Sequence, residues 1–189
     1  LTLDTMTGVA QYVVRIEVTF IDENGDEKEA FGSGVVVSES GVIFTNRHVV
    51  NQQNITQILI SMTTTLGVAP EARYTARHVY ISDIDTFDFA ILQINGVPES
   101  GFSIPVNPDT LELPFVETWA SGELRVADTV YLAGYPAAGG DALSFAAAPI
   151  SIISRDGNVT VAQADLPVSD GGSGGLVFNE AGEIFLPLH

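Results

Sequence analysis

The chain has 189 residues, 46% of them apolar, and its 24 Asp plus Glu stand against seven Lys plus Arg, a formal charge of −17. That length fits one domain, or two small lobes sharing an interface, and a chain of this size removes roughly 70% of its unfolded surface from water, so disorder over most of it is excluded. The acidic balance and single lysine exclude nucleic acid as a partner, since each phosphate contact asks for Lys or Arg; the absence of cysteine excludes disulfides, thiolate metal sites and cysteine nucleophiles.

Alternation dominates the chain from its first long element onward. Val14, Ile16, Val18 and Phe20 interleave with Arg15, Glu17 and Thr19, the period of a half-buried strand. Asn24-Gly25 follows, a pair that readily takes positive φ at a tight hairpin, so a second strand should return after it. Further strands are predicted at Val35–Val37, Val42–Thr45, Ile58–Ile60, His78–Ile81, Phe89–Ile94, Val130–Ala133, Ile150–Ser154, Val159–Ala162 and Leu176–Phe178. Thr7–Val14 and His48–Asn54 could each hold a helical turn or two, but neither sustains an apolar stripe. Many short strands separated by turn residues indicate an all-β barrel or sandwich. Pro98, Pro105, Pro108 and Pro114 crowd one irregular stretch, which places a connection at 97–122 between an N-terminal unit, 1–96, and a C-terminal one, 123–189.

Three segments carry chemistry-bearing side chains. His48 follows the strand end Thr45-Asn46-Arg47; Asp88 stands directly before the apolar run Phe89-Ala90-Ile91-Leu92; Ser173 lies inside Gly171-Gly172-Ser173-Gly174-Gly175. Taken singly, each has a plain reading: a boundary histidine, a solvated turn carboxylate with Asp83 and Asp85 as rivals, and a flexible linker. The linker reading is the weakest, because the glycines run straight into the apolar strand Leu176-Val177-Phe178. Acyl transfer to water needs a hydroxyl, a base to take its proton, a carboxylate to orient the base, and backbone N–H donors for the oxyanion. Glycines beside the serine permit the close approach and unusual φ that such donors require. Each of the four parts has a candidate here.

Gly32-Ser33-Gly34-Val35-Val36-Val37 followed by Gly41-Val42-Ile43-Phe44-Thr45-Asn46-Arg47-His48-Val49-Val50 resembles the histidine region of trypsin-like serine peptidases. It is most similar to their cysteine-free bacterial branch, which includes the high-temperature-requirement stress proteases. Asp88-Phe89-Ala90-Ile91-Leu92-Gln93-Ile94 resembles the aspartate motif of that branch, Gly134-Tyr135-Pro136 a turn of its second barrel, and Gly171-Gly172-Ser173-Gly174-Gly175 its serine motif. The order His, Asp, Ser is the chymotrypsin order, with 40 positions from histidine to aspartate and 85 from aspartate to serine.

The resemblance implies a chymotrypsin-like fold of two six-stranded-type antiparallel β-barrels and a serine endopeptidase that acts without cofactor or metal. Carried over, Ser173 is the nucleophile, His48 the base, Asp88 the orienting carboxylate, and the N–H groups of Gly171 and Ser173 the oxyanion hole. The substrate pocket should begin near Pro167 and Val168, which cannot pair with Lys or Arg and so suit an apolar or small side chain. Two departures from the family pattern stand out. Gly172 occupies the position where the family usually has Asp or Asn, and only 16 residues follow Ser173. The second barrel is therefore expected to be incomplete at its C-terminus: either the chain is truncated there, or its open edge is covered by self-association or by another chain. The same departures motivate an alternative, an inert protease-fold module that binds peptide without cleaving it.

Polypeptide is the partner so implied, with no nucleic acid and no membrane. No run approaches the ~18 apolar residues of a membrane span, and the start of the chain lacks the layout of a secretory signal. Beginning at Leu1, it reads as a mature or trimmed form, and the resemblance implies an extracytoplasmic location, periplasmic or secreted. His78 reads as a packed or surface histidine, with no ligand spacing around it.

Overall fold

The structure, a computed structural model, describes residues 1–83, 87–120, 122–136, 142–156, 159–165 and 172–185. Two antiparallel sheets account for most of it, in line with the expected chymotrypsin-like plan. The first contains β1 (Val13–Ile21), β2 (Glu27–Val36), β3 (Val42–Thr45), β4 (Ile55–Met62), β5 (Glu71–Ile81), β6 (Ala90–Glu99) and β7 (Phe102–Pro105). Their order is β3-β2-β1-β4-β5-β6-β7, and β3 also pairs with β6, so the ladder of β1 to β6 returns on itself. The second sheet contains β8 (Thr129–Gly134), β9 (Ser144–Asp156), β10 (Val159–Ala164), β11 (Leu176–Phe178) and β12 (Ile184–Phe185), in the order β10-β9-β8-β11-β12.

The alternation read from β1 is the alternation that buries it. Val14, Ile16 and Val18 point into a core shared with Ile43, Ile60 and Leu92 inside the first ring. The predicted turn forms around Gly25 at φ 85°, with Asp22 Oδ1 accepting from the backbone N–H groups of Asn24 and Asp26, each at 2.9 Å. Those bonds, led by the one from Asp26, hold the Asp22 carboxyl below its ordinary value against the opposing effect of desolvation.

A second core lies between the sheets. Val13 and Val35 from the first pack with Ala133, Tyr135, Leu176 and Phe178 from the second. The Tyr135 hydroxyl shares a 2.6 Å hydrogen bond with Thr63 Oγ1 near the end of β4, and burial of the phenol raises its pKa against that bond. Phe178 is fully buried, stacked on Tyr131 at 5.5 Å and edge-on to Phe145 at 6.3 Å. Phe178→Ala should therefore cost about 3 to 5 kcal/mol in urea unfolding, the range for deleting a large buried aromatic.

Three local differences from the sequence reading have physical causes. The N-terminal helix is α1, Leu3–Ala10, and not Thr7–Val14, because Thr2 caps it by accepting from Thr5 N at 3.1 Å, while Val13 and Val14 are already in β1. The first sheet runs on past 97, through the end of β6 and into β7, within the stretch read as a connection. All four β7 residues are exposed, so no buried alternation marks it. β5 begins well before His78, since Glu71, Ala72 and Arg73 are exposed and give no apolar signal. Among the described residues, no helix is long and apolar enough to cross a membrane.

Candidate active site

β3 ends at Thr45 and the chain turns into α2, Arg47–Val50, a single helical turn that carries His48. Gly32 in β2 lets this turn sit close: a Cβ there would lie only 2.5 Å from Val49 Cγ1. The far end of α2 is tied by His78, whose Nε2 lies 2.9 Å from the Val50 carbonyl oxygen. His78 is thus a packed histidine that helps hold the catalytic-candidate helix, consistent with its plain reading.

Asp88 reaches His48 through a braced loop between β5 and β6. Ser82, 3% exposed, bonds the Phe87 carbonyl through its hydroxyl and accepts from Phe89 N at 3.1 Å, while its own N–H donates to Phe89 O at 2.9 Å. Asn46 Nδ2 donates to the Asp88 backbone carbonyl at 2.7 Å. So held, the Asp88 carboxylate divides its two oxygens: Oδ1 accepts from His48 N at 2.9 Å, and Oδ2 pairs with His48 Nδ1. Asn46 makes no side-chain cap for α2, and Asp88 does that work from 40 positions away. Of the rival acids, Asp83 is exposed and Asp85 lies outside the described residues.

The electrostatics follow from this geometry. Burial raises the Asp88 pKa, but the hydrogen bonds from the His48 ring and backbone, its charge and the Arg47 backbone outweigh that and leave the carboxyl below its ordinary value. Because the folded-state pKa is the lower one, the stabilisation is complete above the unfolded value, about 4, and is lost as pH falls through the folded value. Melting temperature should accordingly fall more steeply with acid in the parent chain than in Asp88→Asn as pH drops below about 5; parallel curves would contradict this. The His48 side chain is 56% exposed and that of Asp88 28%. The imidazole, the more exposed of the two, and the carboxylate both line an open cleft of about 260 Å³ together with Arg47 and Asn51.

Ser173 lies on a tight turn, Gly172 to Gly175, closed by Gly175 N donating to Gly172 O at 2.9 Å and leading into β11. Its carbonyl oxygen accepts from Ser33 N in β2 at 2.9 Å, so the turn is anchored on the first sheet beside β3, the strand that leads into the histidine's helical turn. Gly174, at φ 80°, is required twice over: a Cβ would overlap the Ser33 carbonyl and stand 2.5 Å from Thr45 Oγ1. Gly174→Ala should destabilise the domain by more than the ~1 to 2 kcal/mol of left-handed backbone alone, measured by denaturant unfolding.

The structure thus pairs His48 with Asp88 and seats the Ser173 turn against Ser33 and Thr45. Among the described residues no hydrogen bond joins the Ser173 hydroxyl to His48; such bonds often tighten only when substrate is bound. Gly171, Pro167 and Val168 lie outside the described residues. Sequence reasoning did not single out Ser33, Thr45, Asn46 or Ser82 as site residues. The only signal for Ser33 was a serine framed by glycines, where backbones approach closely.

A family model described as a trypsin-like peptidase domain matches residues 32–185. The chain belongs to the trypsin-like peptidases. It is 30% identical over 165 residues to a probable periplasmic serine endoprotease DegP-like of Halomonas elongata, covering 85% of this chain and 29% of that protein. Serine protease HTRA4 of Mus musculus is 29% identical over 170 residues, covering 85% of this chain and 30% of the relative. Serine endoprotease DegS of Haemophilus influenzae is 30% identical over 159 residues, 81% of this chain and 39% of that protein. The chain therefore spans between about three-tenths and two-fifths of the length of these curated relatives, and the high-temperature-requirement branch is the one it resembles.

Proposed function

We propose that this domain is a serine endopeptidase that cleaves polypeptide through an acyl-enzyme. The observation that carries the reading is the His48–Asp88 pair, with an exposed imidazole edge, in a member of the trypsin-like peptidases. Ser173 Oγ attacks the scissile carbonyl carbon while its proton passes to His48 Nε2. Asp88 keeps the Nδ1–H tautomer in place and stabilises the imidazolium that forms. The oxyanion is met by the N–H groups of Gly171 and Ser173, each donor lowering the barrier by about 3 to 4 kcal/mol. His48 then gives its proton to the departing amine, and water, activated by the same imidazole, releases the acid and restores the serine.

An apolar or small substrate side chain is the preference suggested by Pro167 and Val168. An extracytoplasmic setting is suggested by the Halomonas relative, which is named as a probable periplasmic endoprotease. Cleavage of an unfolded polypeptide, together with a burst of leaving group from an activated ester, tests the reading on the full-length protein. Tight peptide binding with neither burst nor cleavage would overturn it and leave a binding module.

A further inference from the structure

Ser33 is fully buried, and three parts of the molecule meet on it. Its backbone N–H donates to the Ser173 carbonyl at 2.9 Å, and its own carbonyl accepts from Thr45 Oγ1 at 2.7 Å, three positions before His48. Its hydroxyl oxygen accepts from Tyr135 N at 2.8 Å, just past the end of β8 in the other sheet. Gly172, which precedes the serine, has no side chain with which to brace the turn. A Cβ on Gly134 would stand 3.2 Å from Ser33 Oγ and 3.3 Å from Gly172 Cα, so the turn, Ser33 and the end of β8 are in mutual contact.

We propose that Ser33 is the positioning residue of the nucleophile turn, fixing Ser173 relative to His48 by holding both through one residue locked to the second sheet by its hydroxyl. This rests on the reading of Ser173 as nucleophile and His48 as base. The serine side hangs on the N–H of Ser33 and the histidine side on its C=O, so one residue's backbone links the two, in addition to the pairing of β2 with β3 and the seat of the turn on Thr45. The bond to Tyr135 prevents that residue from rocking. Without the hydroxyl, the backbone N–H of Tyr135, a residue 1% exposed, loses this acceptor in a buried place where water cannot easily replace it. Reaction rate is sensitive to such looseness, because attack needs the oxygen and carbon in near-contact alignment.

The test uses the full-length protein and reads the rate of fluorophosphonate labelling at Ser173, kcat, KM and the burst amplitude per molecule. Ser33→Ala and Thr45→Val should each slow labelling and kcat by about tenfold, the rate equivalent of one buried hydrogen bond, with KM and burst amplitude kept. Thr45→Ser retains the donor and should recover the parent rate. Should Ser33→Ala not fold, the Thr45→Val and Thr45→Ser pair decides alone. Parent-like rates in the variants, or a reduced burst amplitude with parent turnover per titrated site, would overturn the proposal and leave Ser33 a structural residue. A parent protein that does not label at Ser173 would instead remove the nucleophile reading itself, and this proposal with it.

Discussion

Ser173→Ala should lower kcat on the order of 10⁶-fold, about 8 kcal/mol of barrier, while leaving the melting temperature close to that of the parent. The fold should survive because the contact that anchors this turn is made by the Ser173 carbonyl on Ser33 N, which alanine keeps. On the proposed reading, alanine removes the atom that bonds to substrate. His48→Ala should cost a similar factor, and the double variant little more than either single one, because serine and histidine act as one unit. Steady-state hydrolysis of a peptide ester, corrected for contaminating activity, is the measurement. A Ser173→Ala protein within tenfold of the parent would remove Ser173 from the mechanism.

Asp88→Asn should lower kcat about 10⁴-fold, and the reason can be followed atom by atom. Asp88 Oδ1 serves the His48 backbone N–H, and Oδ2 serves the ring Nδ1. Asparagine has one carbonyl oxygen and one amide nitrogen. The backbone N–H can be met only by the oxygen, which turns the NH₂ group toward Nδ1. An NH₂ donor selects the tautomer in which Nδ1 is bare and Nε2 carries the proton, and that form cannot take a proton from Ser173. The geometry is kept and the chemistry is lost, so the effect should fall on kcat far more than on KM. Rotation of the amide would instead leave the start of α2 without its acceptor, visible as a lower melting temperature. A variant with parent kcat would show that Asp88 does not orient the base.

The strands that sequence reasoning located most closely are those whose burial alternates within a short segment. β3 and β11 match their predicted limits, because Val42–Thr45 and Leu176–Phe178 are bounded by glycine or polar turns on both sides. β7 and β12 went unseen: one is exposed at every residue and the other is two residues long. The first three residues of β2, Glu27 to Glu29, are charged and exposed, so they carry no apolar period and are held by pairing with β1.

At the candidate site, the two partners of the His48–Asp88 pair were legible because each stands in a recognisable local pattern, a strand end before a short helix and an acid before an apolar strand. Their supporting residues were not. Thr45 acts on a carbonyl 12 positions away, Asn46 on one 42 away, and Ser33 on an N–H 102 away. Such contacts are hydrogen bonds between small polar side chains and distant backbone groups, and the local sequence, even where glycines frame Ser33, does not name the partner. Only folding brings the partners together.

Peptide mapping after fluorophosphonate treatment tests the central claim most directly. Natively folded protein should carry one adduct, on Ser173, and the adduct should disappear in urea or in His48→Ala. Absence of an adduct on the folded protein, or labelling of Ser173 that is unchanged by loss of His48, would contradict the account.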